Sequence, residues 1–161
     1  MKTITEFILE AADTEKIKKQ ISIKLKLQED VFINGEYSRQ RENFIMNIAK
    51  QYGYKQFVSV FLDKAEVDDL GGIPVPSKDK TKTVTALPNW AKELENNKND
   101  KQILFIDFDG VKPDVLNAAM PIVLNHEVCG QKFENMIVVG FGDVTKLDKP
   151  LQSRFKPIIN A

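Results

Sequence analysis

Little in this chain can carry disulfide, redox or metal chemistry. Its 161 residues contain one cysteine, Cys129, one histidine, His126, and one tryptophan, Trp90. A lone cysteine cannot close an internal disulfide, so a reducing, cytoplasmic setting is the expectation. A single histidine without a cysteine or second histidine nearby gives no zinc-type ligand set. No run of residues approaches the ~20 apolar positions that a membrane helix needs. Met1 to Leu9 lacks the apolar stretch of a secretion signal. Charge of one sign is also missing: Lys plus Arg and Asp plus Glu both total 23, for a net charge of zero. That removes a global electrostatic argument for nucleic acid or membrane as partner. What remains is 42% hydrophobic and 29% charged residues, ordinary for a globular domain long enough to bury a core without staples.

The hydrophobic pattern alternates between strand and helix. Two helices are expected first, Ile4 to Ala12, with Phe7, Ile8 and Ala11 on one face, and Thr14 to Lys26. Val31 to Asn34 reads as a short buried strand. Ser38 is placed to cap a helix over Arg39 to Tyr52, whose Phe44, Ile45, Ile48, Ala49 and Tyr52 recur at helical spacing, and Gly53 stops it. Phe57 to Leu62 is a second strand. Asp68 to Pro76 is expected as loop, and Ser77 to Thr85, with Lys78, Lys80 and Lys82, as a mobile surface loop. A short helix follows from Leu87 to about Leu94, then polar linker from Glu95 to Lys101. Ile103 to Ile106 ends at Asp107 and looks like a central parallel strand buried on both faces. A helix starts at Pro113, with Val115, Leu116, Ala119, Ile122 and Val123 on one face and a kink or break expected at Pro121. Glu127 to Asn135 suggests a hairpin around Gly130. Met136 to Phe141 and Pro157 to Asn160 complete the strands.

This alternation predicts a three-layer α/β sheet of about five mainly parallel strands with helices on both faces, in one domain over residues 1–161: N-terminal helices in 1–28 and a core in 29–161. Ligands of such sheets sit at the carboxyl ends of the strands. Gly35, Asp107 and Asp143 all fall there.

Read in order, these segments resemble the AAA+ ATPase core, most closely its MoxR-like and dynein-related relatives, from about Val31 to Pro157; another three-layer α/β domain is the alternative. Gly35 matches the opening glycine of the Walker A loop. Asp69-Leu70-Gly71-Gly72-Ile73-Pro74 matches the loop after the second strand. Ile103 to Asp107 matches Walker B, and Val138 to Asp143 the sensor-1 strand, where Asn usually stands at the place of Asp143. Leu151-Gln152-Ser153-Arg154-Phe155 matches the arginine-finger segment. The resemblance implies a P-loop NTPase fold, ATP and magnesium as cofactors, and Arg154 as a group that reaches a neighbouring subunit.

The departures are chemical. A Walker A loop reads Gly, four residues, Gly, Lys, Ser or Thr. Here the last three positions are Gln40, Arg41 and Glu42. Gln40 carries a Cβ where glycine permits left-handed backbone, at a cost of ~1–2 kcal/mol. Arg41 keeps the charge in a bulkier, forked form. A Glu42 carboxylate ~4 Å from a phosphate charge is repelled by about 4 kcal/mol. Phe108 stands where Walker B has the glutamate that activates water, a loss of ~10²–10⁴ in rate, with Asp109 two residues on as the substitute to consider. The family's helical lid is not expected, since the sequence ends at Ala161.

The expectation is therefore a non-catalytic module, a pseudo-ATPase that acts through protein contacts with an AAA+ ATPase or with itself, in the style of a phage or mobile-element accessory protein. A weak or divergent ATPase is the second reading. Its nucleotide-binding candidates are Gly35, Arg39, Arg41, Asp107 and Asp143, with Asp107 as metal ligand, and no resident cofactor is expected. Asp107 and Asp143 have capping as their competing role, and Arg39 and Arg41 a solvated helical turn paired with Glu36 and Glu42. A nucleic-acid accessory role through Lys78 to Lys82 is the third reading. His126 is expected on the surface at a helix end, Cys129 in the hairpin, and Trp90 as a packing anchor.

Overall fold

In the computed structural model, residues 3–161 are described, except for the side chains of Phe7 and Glu10. Among the described residues six α-helices are formed: α1 (Ile4–Lys26), α2 (Arg39–Gln51), α3 (Val67–Gly71), α4 (Asn89–Asn96), α5 (Pro113–Asn125) and α6 (Lys149–Arg154). The strands are β1 (Val31–Asn34), β2 (Tyr54–Phe61), β3 (Ile73–Pro76), β4 (Thr83–Ala86), β5 (Lys101–Asp107), β6 (Glu127–Val128), β7 (Gln131–Lys132), β8 (Met136–Gly142) and β9 (Ile159–Asn160).

Five of these strands make one sheet in the order β2-β5-β8-β1-β9, every pair parallel. The two middle strands carry the longest apolar runs, and every residue of β8 is buried. A strand covered on both faces has no polar side to present, which is why β5 and β8 are continuous in hydrophobicity rather than alternating. Phe32, Val58, Leu104, Ile106 and Val138 pack on one face with Ala91, Leu94, Val115, Ala119, Leu151 and Phe155 of α4, α5 and α6 or the residue after it. Ile33, Ile103, Phe105, Val139 and Phe141 pack on the other with Ile21 and Leu25 of α1 and Ile45, Ile48 and Ala49 of α2. The three-layer α/β arrangement expected from the sequence is the one observed.

Several boundaries differ. The two expected N-terminal helices are a single helix, α1, because neither Gly nor Pro separates Ala12 from Thr14. Ile8 and Ala11, expected to share a packed face with Phe7, are exposed, while the Phe7 side chain lies outside the described residues. The expected loop from Ser77 to Thr85 belongs to an antiparallel ribbon, β3 with β4. Asp79 organises its turn, accepting from Ser77 Oγ (2.5 Å), Thr81 N (3.1 Å) and Thr81 Oγ1 (2.8 Å). α5 runs through Pro121 to Asn125 without a break.

Candidate functional site

The carboxyl ends of β1, β2, β5 and β8 meet at one edge of the sheet. Phe61, Asp107 and Phe141 are neighbours in register, as are Asn34 and Gly142. The Gly35 N–H donates to the Gly142 carbonyl at 3.0 Å, and the Asn34 side chain accepts from Val144 N, also at 3.0 Å. These bonds fix the start of the loop, residues 35–38, between β1 and α2.

That loop closes early. α2 begins at Arg39, and Ser38 is its N-cap, accepting from Arg41 N at 3.1 Å. The hydroxyl thereby takes up one of the free amides that would otherwise face an anion. Gln40 lies inside the first helical turn, so the left-handed backbone that a glycine would allow at that position is not used. Arg41 folds back: its Nη1 donates to the Glu36 carbonyl and lies 3.0 Å from where a Cβ on Gly35 would stand. The expected pairing of Arg41 with a Glu36 or Glu42 carboxylate is replaced by this carbonyl contact. Arg39 is exposed.

Glu42 takes the direction opposite to the one its position suggested. It is 8% exposed and points inward, where its carboxylate accepts from the Tyr37 hydroxyl and from Ser59 Oγ at 2.6 Å. Tyr37 stands edge-on to Phe61 and Phe141, with ring centroids 5.0 and 5.4 Å away. Its phenol is pushed up to about 12, first by burial and then by the hydrogen bond and charge of Glu42. Tyr37, Glu42 and Ser59 thus form a closed network over the strand ends, linking loop, helix and β2. The sequence suggested Glu42 as a charge that repels phosphate or as a surface partner of Arg39 and Arg41, and it is neither. The signal that would have found the network is the pair Tyr37 and Ser59, one a hydroxyl in the loop, the other the sole polar residue in the apolar stretch of β2.

Asp107 sits beside this network. Its carboxyl is raised above the usual carboxylate range by burial and by the charges of Asp109 and Asp63, against the Asp109 N–H that it accepts at 3.1 Å. Phe108 turns into the core on the opposite side, packed against Phe32 and Phe155 at 5.9 and 6.2 Å. Gly140 beneath it has no room for a Cβ, which would stand 2.8 Å from Phe32 and 2.9 Å from Phe108. Asp143 is lowered by its bonds to Thr145 Oγ1 (2.6 Å) and Thr145 N (2.9 Å), capping the 3₁₀ turn Val144–Lys146. Each aspartate thus accepts from the backbone N–H two residues on. Among the described residues no group of three or more His, Cys, Asp or Glu is arranged to hold a metal ion.

Arg154 is not at this edge. Together with His126 it lies at the amino ends of the strands, where both engage Asp30, the residue before β1. Arg154 Nε donates to Asp30 at 2.8 Å, and His126 Nε2 lies 2.9 Å from the same carboxylate. Asp30 has no side-chain exposure and also accepts from Val138 N at 2.8 Å. His126, expected on the surface, is held in this cluster at the left-handed C-cap of α5. Lys24 closes the same corner from α1, donating to the carbonyls of Asp30, Phe155 and Lys156. Trp90 anchors α4 by donating to the Asp69 carbonyl at 2.7 Å, and Cys129 lies in the β6–β7 turn facing the Leu70 carbonyl.

Solved structures of AAA+ P-loop ATPases share this arrangement. A RuvB P216G mutant from Thermotoga maritima superposes with a TM-score of 0.57 at 16% identity, over 91% of this chain and 45% of that one. A putative ATPase from Cytophaga hutchinsonii gives 0.58 at 12%, over 98% and 50%. NtrX from Brucella abortus, solved with ADP, gives 0.57 at 12%, over 96% and 38%. The fold is that of an AAA+ ATPase core. The chain spans about half the length, or less, of the structures it matches. No protein-family model matches the sequence, and the search of curated proteins finds no match. Within this AAA+-like core, Arg41 is folded over the loop, Glu42 is a buried carboxylate held by two hydroxyls, and Phe108 is packed in the core.

Proposed function

We propose that this AAA+-like domain is a non-catalytic module that works through protein contacts. The observation that carries the reading is the Tyr37–Glu42–Ser59 network. At the position where a phosphate loop would present a hydroxyl to magnesium, Glu42 is committed to two internal donors. To admit a nucleotide, the protein would have to break both bonds and lift Arg41 from Glu36, while placing a carboxylate next to phosphate. The domain keeps the scaffold by which such cores pack against neighbours, so its partner is an AAA+ ATPase or a second copy. Arg154, with a side chain 42% exposed, is the group offered at that contact from its anchorage on Asp30.

Calorimetric titration with ATP and magnesium tests the first half of the reading. Wild type gives no saturable heat at 1 mM nucleotide, and saturable binding with magnesium dependence overturns the proposal. Affinity capture with a purified AAA+ ATPase from the same host tests the second half. Retention that is lost in Arg154→Ala supports a contact through that residue, and no retention of any such ATPase or of a second copy counts against it.

One observation favours a second reading as a ligand-binding module. A cleft of about 540 Å³ opens beside the loop, lined by Ile17, Ile21, Phe44 and Ile45 with Arg41 at its polar end. Saturable nucleotide binding without hydrolysis in the same titration selects this reading.

A further inference from the structure

The outer face of α1 carries exposed apolar side chains. The helix has 23 residues, about 34 Å of length. Only its second half is held by the core, through Ile21, Lys24 and Leu25. From residue 3 to 16, every residue whose side chain is described is exposed. A capping box of Thr3 and Glu6 nonetheless starts the helix with both reciprocal bonds formed. Five large apolar side chains face away from the core: Ile4 (79% exposed), Ile8 (63%), Leu9 (59%), Ile23 (53%) and Leu27 (60%).

Their placement along the helix matters. Ile4 and Ile8 lie near its start and Ile23 and Leu27 near its end; within each pair the spacing of four residues keeps the side chains on one stripe, and the two stripes lie about 100° apart on the outward half of the helix. Charge is divided in the same way. The first half carries Glu6, Glu10, Asp13 and Glu15 and no basic residue; the second carries Lys16, Lys18, Lys19, Lys24 and Lys26 and no acidic one. The helix dipole favours this sign at each end, but its effect is confined to the first and last turns. It therefore does not reach Asp13, Glu15, Lys16, Lys18 and Lys19 in the middle of the helix, where Glu15 and Lys19 also stand at the i,i+4 spacing of an intrahelical pair.

We infer that α1 pairs with α1 of a second copy, antiparallel, in a two-fold symmetric dimer. In that arrangement Ile4 meets Leu27 of the other helix, Ile8 meets Ile23, and the acidic half of each helix lies along the basic half of the other. This outward face is self-complementary only in this direction, because a parallel pair would set like charges side by side along the whole helix. Lys24 takes no part, being turned inward onto its three carbonyls.

Sedimentation equilibrium from 1 to 100 µM tests the pairing. Wild type associates to a dimer. Ile8→Asp, a change at an exposed site that leaves the circular dichroism spectrum intact, raises the dissociation constant by about 100-fold, since the symmetric contact is lost twice. Charge reversal fixes the direction. Asp13→Lys with Glu15→Lys in one chain, or Lys16→Glu with Lys19→Glu in another, weakens self-association, and a mixture of the two chains recovers a heterodimer. A wild-type monomer at 100 µM, an unweakened Ile8→Asp dimer, or a mixture that stays monomeric each overturns the inference. Nucleotide binding does not enter any of these readouts, so the result is independent of the reading of the loop.

Discussion

Glu42 shows how one side chain changes meaning with its surroundings. On the surface, a glutamate at the start of a helix is a favourable charge near the positive end of the dipole. Here it is buried, and its value is set by the two hydroxyls that donate to it. Glu42→Ala leaves the Tyr37 and Ser59 hydroxyls without their acceptor and is expected to cost about 2 kcal/mol of stability in urea unfolding. The same variant lowers the midpoint of Tyr37 ionisation from about 12 towards the ordinary range, though burial keeps part of the shift. Ultraviolet difference titration at alkaline pH reads this. Asp107 gives a second test at this scale. Its carboxyl is raised, so the folded state favours the protonated form and bears a cost once the group is ionised. Asp107→Asn is therefore expected to raise the melting temperature at pH 7. The gain should shrink as pH falls through the raised value and vanish below the ordinary carboxylate range, where both states are protonated. A constant difference across pH 3 to 8 would assign the effect to something other than ionisation.

At the scale of elements, legibility followed burial. β1, β5 and β8 were readable because a strand covered on both faces cannot hide its apolar run, and α2 because its buried positions recur at the helical period. The β3–β4 ribbon was not readable: almost all of its residues are exposed, so no alternation between core and solvent marks it, and its prolines point to loop. α1 was split in two because its packed face changes character halfway along, buried in the second half and exposed in the first. The site was half legible. Gly35, Asp107 and Asp143 were placed together by topology alone. The inward turn of Glu42, the fold-back of Arg41, and the joining of Arg154 and His126 on Asp30 depend on residues distant in sequence, such as Ser59 and Asp30, which no local pattern connects. Pro121 offers a test of how far tertiary packing overrides local preference. Its missing N–H weakens the interior of α5, which runs on to His126 regardless. Pro121→Ala restores a donor at an exposed position and is expected to stabilise the domain by about 1 kcal/mol, less than the full propensity difference because the unfolded chain also gains freedom. Destabilisation of that size would mean that the pyrrolidine ring itself packs.

For the molecule as a whole, the separation of the two ends of the sheet is the organising fact. One end holds the closed loop with Tyr37, Glu42 and Asp107. The other holds the Asp30 cluster, with Lys24, His126 and Arg154 tying α1, α5 and α6 to the start of β1. The strand order and the covering of both faces are those of an AAA+ ATPase core, while the side chains at the strand ends bind one another. The central claim is that the phosphate-loop position is occupied by the protein's own groups. Amide chemical shifts from Gly35 to Glu42, recorded while ATP with magnesium is added to 5 mM, test it most directly. The account predicts that the Gly35 and Arg41 resonances do not move. A saturable shift of both, together with loss of the Tyr37–Glu42 hydrogen bond, would contradict it.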